Sequence, residues 1–175
     1  MTTYAELNAH FRRCIETEDR WKKDLLKAAV DLLDALRPEL FPEDGKVPDV
    51  ALKWRGGREE TVPVLELRQA LPEEGLPAPL SRHNLNETID DRVLKFSIWL
   101  VLDYSRGQER VAVPCSVRFV DHAPAYVVEY EPEGENPSLP LDQAAARVLS
   151  SLGDWFDIDP YAGKSSPSIG FVRLS

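Results

Sequence analysis

Residues 93–104 read VLKFSIWLVLDY, and the parity of this stretch decides the fold. The even positions Leu94, Phe96, Ile98, Leu100, Leu102 and Tyr104 are all apolar, whereas Lys95, Ser97 and Asp103 interrupt the odd set. The repeat is two residues rather than 3.6, which marks a strand with one committed core face. Burying a Val, Leu, Ile or Phe side chain contributes about 1.5–3 kcal/mol, so this face is worth on the order of 10 kcal/mol as an upper bound. Trp99 and Val101 weight the odd face as well, which predicts a central strand covered partly on both sides.

Downstream, Ser105-Arg106-Gly107-Gln108 makes a turn, and Val111, Val113, Cys115, Val117 and Phe119 alternate inward against Arg110, Ser116 and Arg118. Pro114 falls on the outward parity and predicts an edge or bulge there. A second turn at 121–124 leads into Tyr126, Val128 and Tyr130, completing a meander over 93–131. Glu129 and Glu131 share an outward parity and are expected to pair across strands with Arg118 and Arg110. Upstream, Val50, Leu52 and Trp54 alternate, Gly56-Gly57 turns the chain and 61–67 alternates again, predicting a hairpin over 50–67 that extends the sheet to about five strands. Between hairpin and meander, residues 70–86 contain LPEEGLPAPL, a proline-rich loop rather than an element.

Helices flank the strands. Residues 3–37 carry Tyr4, Leu7, Phe11, Cys14 and Ile15 on one face; the stripe breaks at Glu16-Thr17-Glu18-Asp19 and resumes with Trp21, Leu25, Leu26, Ala29, Leu32, Leu33 and Leu36. Thr3 and Glu6 have capping-box spacing, and Pro38 is expected to close the helix. A straight helix of this length runs about 50 Å, long for so small a domain. Either it bends near 17–19 so that both halves cover the sheet, which is the plainer expectation, or its first half projects as a docking or oligomerisation arm. A second helix is expected over 141–152, with Gly153 as its left-handed cap. The aromatic tail 154–175 follows, and 169–174 is a candidate last edge strand. The fold expected is therefore a single α+β domain over 1–175: a long N-terminal helix, an antiparallel meander sheet of five or six strands and a C-terminal helix packed on one face.

The chain has 175 residues and a net charge of −9. A phosphate backbone is repelled by that average field, so nucleic acid is not an expected partner. The plain reading of the charge is a solvated surface. No apolar run is long enough to span a bilayer and none opens the chain, so no leader and no membrane partner are expected and the protein is placed in the cytoplasm. Cys14 and Cys115 fall in apolar patterns far apart and make no disulfide framework.

Motifs for chemistry are sparse. His10, His83 and His122 lack the paired spacing of a zinc site. Gly163-Lys164-Ser165 ends like a phosphate loop, but Ile158 stands where the first glycine is required. Asp154, Asp157 and Asp159 are separated by Trp155 and Phe156 rather than by a calcium loop's turn residues. Cys115 and His122 are a nucleophile and base only on paper, since Cys115 has core parity. No cofactor and no catalytic residue is assigned on these grounds.

One pattern does resemble a known family. Pro48-Asp49 followed by Glu66-Leu67-Arg68 resembles the loose signature of the PD-(D/E)XK nuclease superfamily, over about twenty residues. That resemblance implies a magnesium ion held by Asp49 and Glu66 in a metal-dependent phosphodiesterase. The chain departs from it where Arg68 replaces the lysine, since a guanidinium stays protonated. A third reading is a small-molecule binder with a sheet–helix cavity under the 70–86 loop. The reading preferred here is a non-catalytic protein-binding module, an acidic cytosolic accessory, adaptor or chaperone-like protein. Its partner is another protein or a second copy, through the N-terminal helix or an edge strand. The partly exposed aromatic and apolar positions Trp99, Val101, Trp155, Phe156 and Tyr161 are its candidate anchors.

Overall fold

The computed structural model describes residues 3–53, 57, 59–70, 77–104, 107–129 and 136–156, with only the backbone of Lys53, Asp103, Tyr104, Gly107, Glu109 and 154–156. Helix α1 (Tyr4–Leu40) starts on the expected capping box: the Glu6 amide donates to Thr3 Oγ1 at 3.3 Å and the Thr3 amide to the Glu6 carboxylate at 2.8 Å. It does not stop at Pro38, which lies inside its last turn. A proline there forfeits one helical bond, and its fixed φ is helical. The Phe41 amide then closes on the Arg37 carbonyl at 2.8 Å, and Leu40 and Phe41 pack against the core.

The expected strand is β5 (Val93–Tyr104), and it pairs along its whole length with β6 (Gly107–Val120). β7 (Ala123–Val128) continues the meander; β3 (Leu65–Gln69) and the short β4 (Ile89–Asp90) both pair with β5, and the five strands form one antiparallel sheet. Leu94, Phe96, Ile98 and Leu100 are buried on one face, as their parity requires. Two tight turns lie at one end of this sheet. Asp91-Arg92 joins β4 to β5 and Asp121-His122 joins β6 to β7, all four with positive φ, the backbone that two-residue hairpin turns demand.

The hairpin does not extend the sheet. β1 (Asp49–Lys53) and β2 (Glu59–Pro63) form their own two-stranded sheet, and the alternation expected across 61–67 breaks at Val64. The Val64 amide donates to the Pro48 carbonyl at 2.9 Å while its own carbonyl accepts from Val101 at 2.8 Å, so this residue belongs to both sheets. A one-residue slip reverses faces. Val62 thereby packs with Leu52 and Val101 in a small second cluster, and Leu65 and Leu67 turn to the main core.

Pro114 is flanked on both sides, yet its carbonyl accepts from Glu129 just beyond the last residue of β7, so its missing amide falls where that ladder runs out. The expected pairing of Glu129 with Arg118 does not form by register: Ala125 lies opposite Arg118, and Glu129 lies against Pro114. Glu131 and the tail from 157, including the candidate strand 169–174, lie outside the described residues.

Helix α3 (Leu141–Phe156) also overruns its expected end. Gly153 sits inside it without a positive φ, and the helix backbone runs on to Phe156. The C-terminal half of α1 and α3 lie together on the sheet's first face, where Leu25, Leu32, Leu36, Val148 and Leu152 meet Phe96, Ile98 and Val113.

Candidate functional site

The second face of the sheet carries the polar cluster nearest to chemistry. Glu66 and Arg68 alternate on β3, and their side chains are 13% and 10% exposed. Arg68 Nε donates to Glu66 Oε1 at 2.6 Å, its Nη1 donates to the Pro77 carbonyl at 2.9 Å, and the guanidinium stacks 4.6 Å from the centre of the Trp99 ring. Trp99 Nε1 donates to Ser97 Oγ, which donates onward to the Gln69 carbonyl, each at 2.9 Å. Arg110 stands on the same face, and loss of solvent together with the nearby Arg68 charge lowers its pKa.

Trp99 and Val101 are 2% and 5% exposed, so in this chain they are second-layer core and offer no surface. For Trp155 and Phe156 only the backbone, at the end of α3, is described, and Tyr161 lies outside the described residues. Asp49 opens β1 opposite Pro63, and Glu66 is taken up by Arg68. Among the described residues no three His, Cys, Asp or Glu side chains gather as a metal-holding group. Cys115 is buried, which together with the Glu129 charge pushes its thiol pKa up, away from a nucleophile. His122 is exposed at its turn. Gly163-Lys164-Ser165, Asp157 and Asp159 fall outside the described residues. The described part of the 70–86 loop adds to the sheet edge. Ala78 accepts from the Gln69 amide at 2.9 Å and Leu80 donates to Leu67 at 3.0 Å, so Pro77–Leu80 runs along the free edge of β3, and a short helix α2 (Leu85–Thr88) follows.

The first half of α1 leaves the sheet altogether. From Thr3 to Arg20 every residue is exposed except the half-buried Asn8, and Tyr4, Leu7, Phe11 and Ile15 stand at 83%, 58%, 63% and 43% exposure. These were not among the anchors expected from sequence, although the break at 16–19 marks where the helix leaves the body. Burial begins at Trp21 and Leu25, on the same seam. Two grooves flank that point. One, of about 750 Å³, is walled by His10, Arg13, Cys14, Trp21 and the turn residue Arg92. The other, of about 500 Å³, lies between Trp21 and Asp24 on the helix and Phe119 near the end of β6 with Asp121 and His122 of the second turn. Cys14 is exposed, with Sγ 3.7 Å from His10 Nε2 one turn earlier.

The chain matches no family model, no curated protein and no solved structure. No helix among the described residues is long and apolar enough to cross a membrane.

Proposed function

We propose that this protein is a non-catalytic protein-binding module, an accessory or adaptor protein of chaperone-like character, whose docking element is the projecting half of α1. One observation carries the reading: four large apolar side chains, Tyr4, Leu7, Phe11 and Ile15, stand in one exposed stripe on a helix that the other described residues leave uncovered. Most helical stability in proteins comes from packing an apolar face, and contiguous exposed apolar surface marks interaction sites. Aromatic anchors at the centre of such a stripe are the usual carriers of binding energy. The phosphodiesterase reading needs Glu66 turned to a cation, whereas its carboxylate holds Arg68, and no observation favours it.

The test compares tagged wild-type chain with Leu7→Asp/Phe11→Asp in lysate of the cells that make it. A stoichiometric companion, either another protein or an untagged copy, should accompany the wild type and be lost from the variant. Association that the variant retains, or none with either chain, would refute the arm as docking element.

A further inference from the structure

We infer that the occupant of the projecting helix is a second copy of this chain, laid antiparallel along the arm so that the tip of each helix reaches the grooves beside Trp21 of the other. This rests on reading the first half of α1 as the docking element, and three observations choose the occupant.

The seam is self-complementary. Tyr4, Leu7, Phe11, Cys14, Glu18 and Trp21 recur at alternating spacings of three and four, the repeat of a two-helix contact. Antiparallel helices set these positions against each other about a midpoint between Arg12 and Arg13. Tyr4 then meets Trp21 of the second copy, Leu7 meets Glu18, and Phe11 meets Cys14. The one charged member, Glu18, is already held by Lys22 at 2.5 Å on its own helix.

Two arms supply the area of a specific interface. Large aromatic side chains bury about 150–250 Å² each, so Tyr4 and Phe11 with Leu7 and Ile15 offer on the order of 500 Å² per copy. Two copies together reach the roughly 1,000 Å² that a specific interface needs, and the groove walls add to it.

Charge selects the direction. Along the arm Glu6, Glu16, Glu18 and Asp19 are nearly balanced by Arg12, Arg13 and Arg20, whereas the whole chain carries −9, so the acidic excess lies in the body. A parallel pair would abut the two acidic bodies and set Glu18 against Glu18. An antiparallel pair overlapping from 4 to 21 holds them about 27 Å apart at 1.5 Å per residue, beyond the screening length of roughly 8 Å at physiological salt. It also opposes the helix dipoles.

Sedimentation equilibrium on the purified full chain should give twice the mass of 19.8 kDa, and Leu7→Asp should return it to one. In a Cys14→Ala background, mixing Leu7→Cys chains with Glu18→Cys chains should give the mixed disulfide under air and leave Leu7→Cys alone largely uncrosslinked. A wild type that is monomeric at every concentration would overturn the second copy. If that monomer still captured a different protein through Leu7 and Phe11, the docking arm would stand without it. A dimer unchanged by Leu7→Asp, or Leu7→Cys chains linking readily to one another, would overturn the antiparallel seam.

Discussion

Tyr126 Oη donates to the Ala28 carbonyl at 3.1 Å, tying β7 to the middle of α1 across 98 residues of sequence. Its side chain is buried, and burial with the nearby Asp31 charge pushes its pKa from 10 up to about 12. The native state therefore keeps a proton that the unfolded chain releases. Stability from this group is complete below about pH 10 and is lost as pH rises toward 12. Tyr126→Phe should cost about 0.5–1.5 kcal/mol at neutral pH, the worth of one buried hydrogen bond. Urea unfolding of both chains between pH 9 and 12 should show the difference shrinking as pH rises; a constant gap would contradict the assignment.

The Glu66–Arg68 pair is nearly buried and shares its guanidinium with Trp99 and the Pro77 carbonyl. Arg68→Leu leaves a carboxylate without its cation and should destabilise by roughly 3 kcal/mol. Glu66→Leu/Arg68→Leu should lose markedly less, because no lone charge remains. Chemical denaturation of the wild type, Glu66→Leu, Arg68→Leu and the double variant measures the coupling, and strict additivity would show that the pair does not act as a unit.

Gly153 lies within α3, and a methyl group built on it meets nothing within 4 Å. Gly153→Ala should raise stability by about 0.5–1 kcal/mol, since glycine costs that much inside a helix. A lower melting temperature in the variant would mean that the helix does not continue through this residue.

Of the two thiols, Cys14 is exposed on the arm and Cys115 is buried in the sheet. An aromatic disulfide reagent should label one thiol in the native chain and both in denaturant. Labelling of Cys14 should be slower in the wild type than in Leu7→Asp, because the opposing Phe11 covers it in the pair. Equal rates would place Cys14 outside any contact.

Where one residue type decides, the sequence was legible. The period-two parity of Leu94, Phe96, Ile98 and Leu100, and the capping spacing of Thr3 and Glu6, specify local structure without help from afar. Pro38 misled because a proline's cost of about 3 kcal/mol is offset by the packing of Leu40 and Phe41 beyond it, and Gly153 because a glycine costs a helix only about 1 kcal/mol. The crossing at Val64 left no composition signal: only the partner carbonyl of Pro48 and the amide of Val101 reveal that two sheets meet there. Trp99 read as a surplus aromatic because its cover, Arg68, comes from another strand. The arm was visible as an alternative, since Glu16 to Asp19 interrupts the stripe, but periodicity does not say which half of a helix finds a sheet beneath it.

The most direct measurement is amide hydrogen exchange over residues 4–20 of the full chain, at dilute and at high protein concentration. Exchange in the arm should slow as concentration rises while the amides of 25–36, already packed on the sheet, hold constant. Arm exchange that is fast and indifferent to concentration would contradict a helix covered by a second copy of itself.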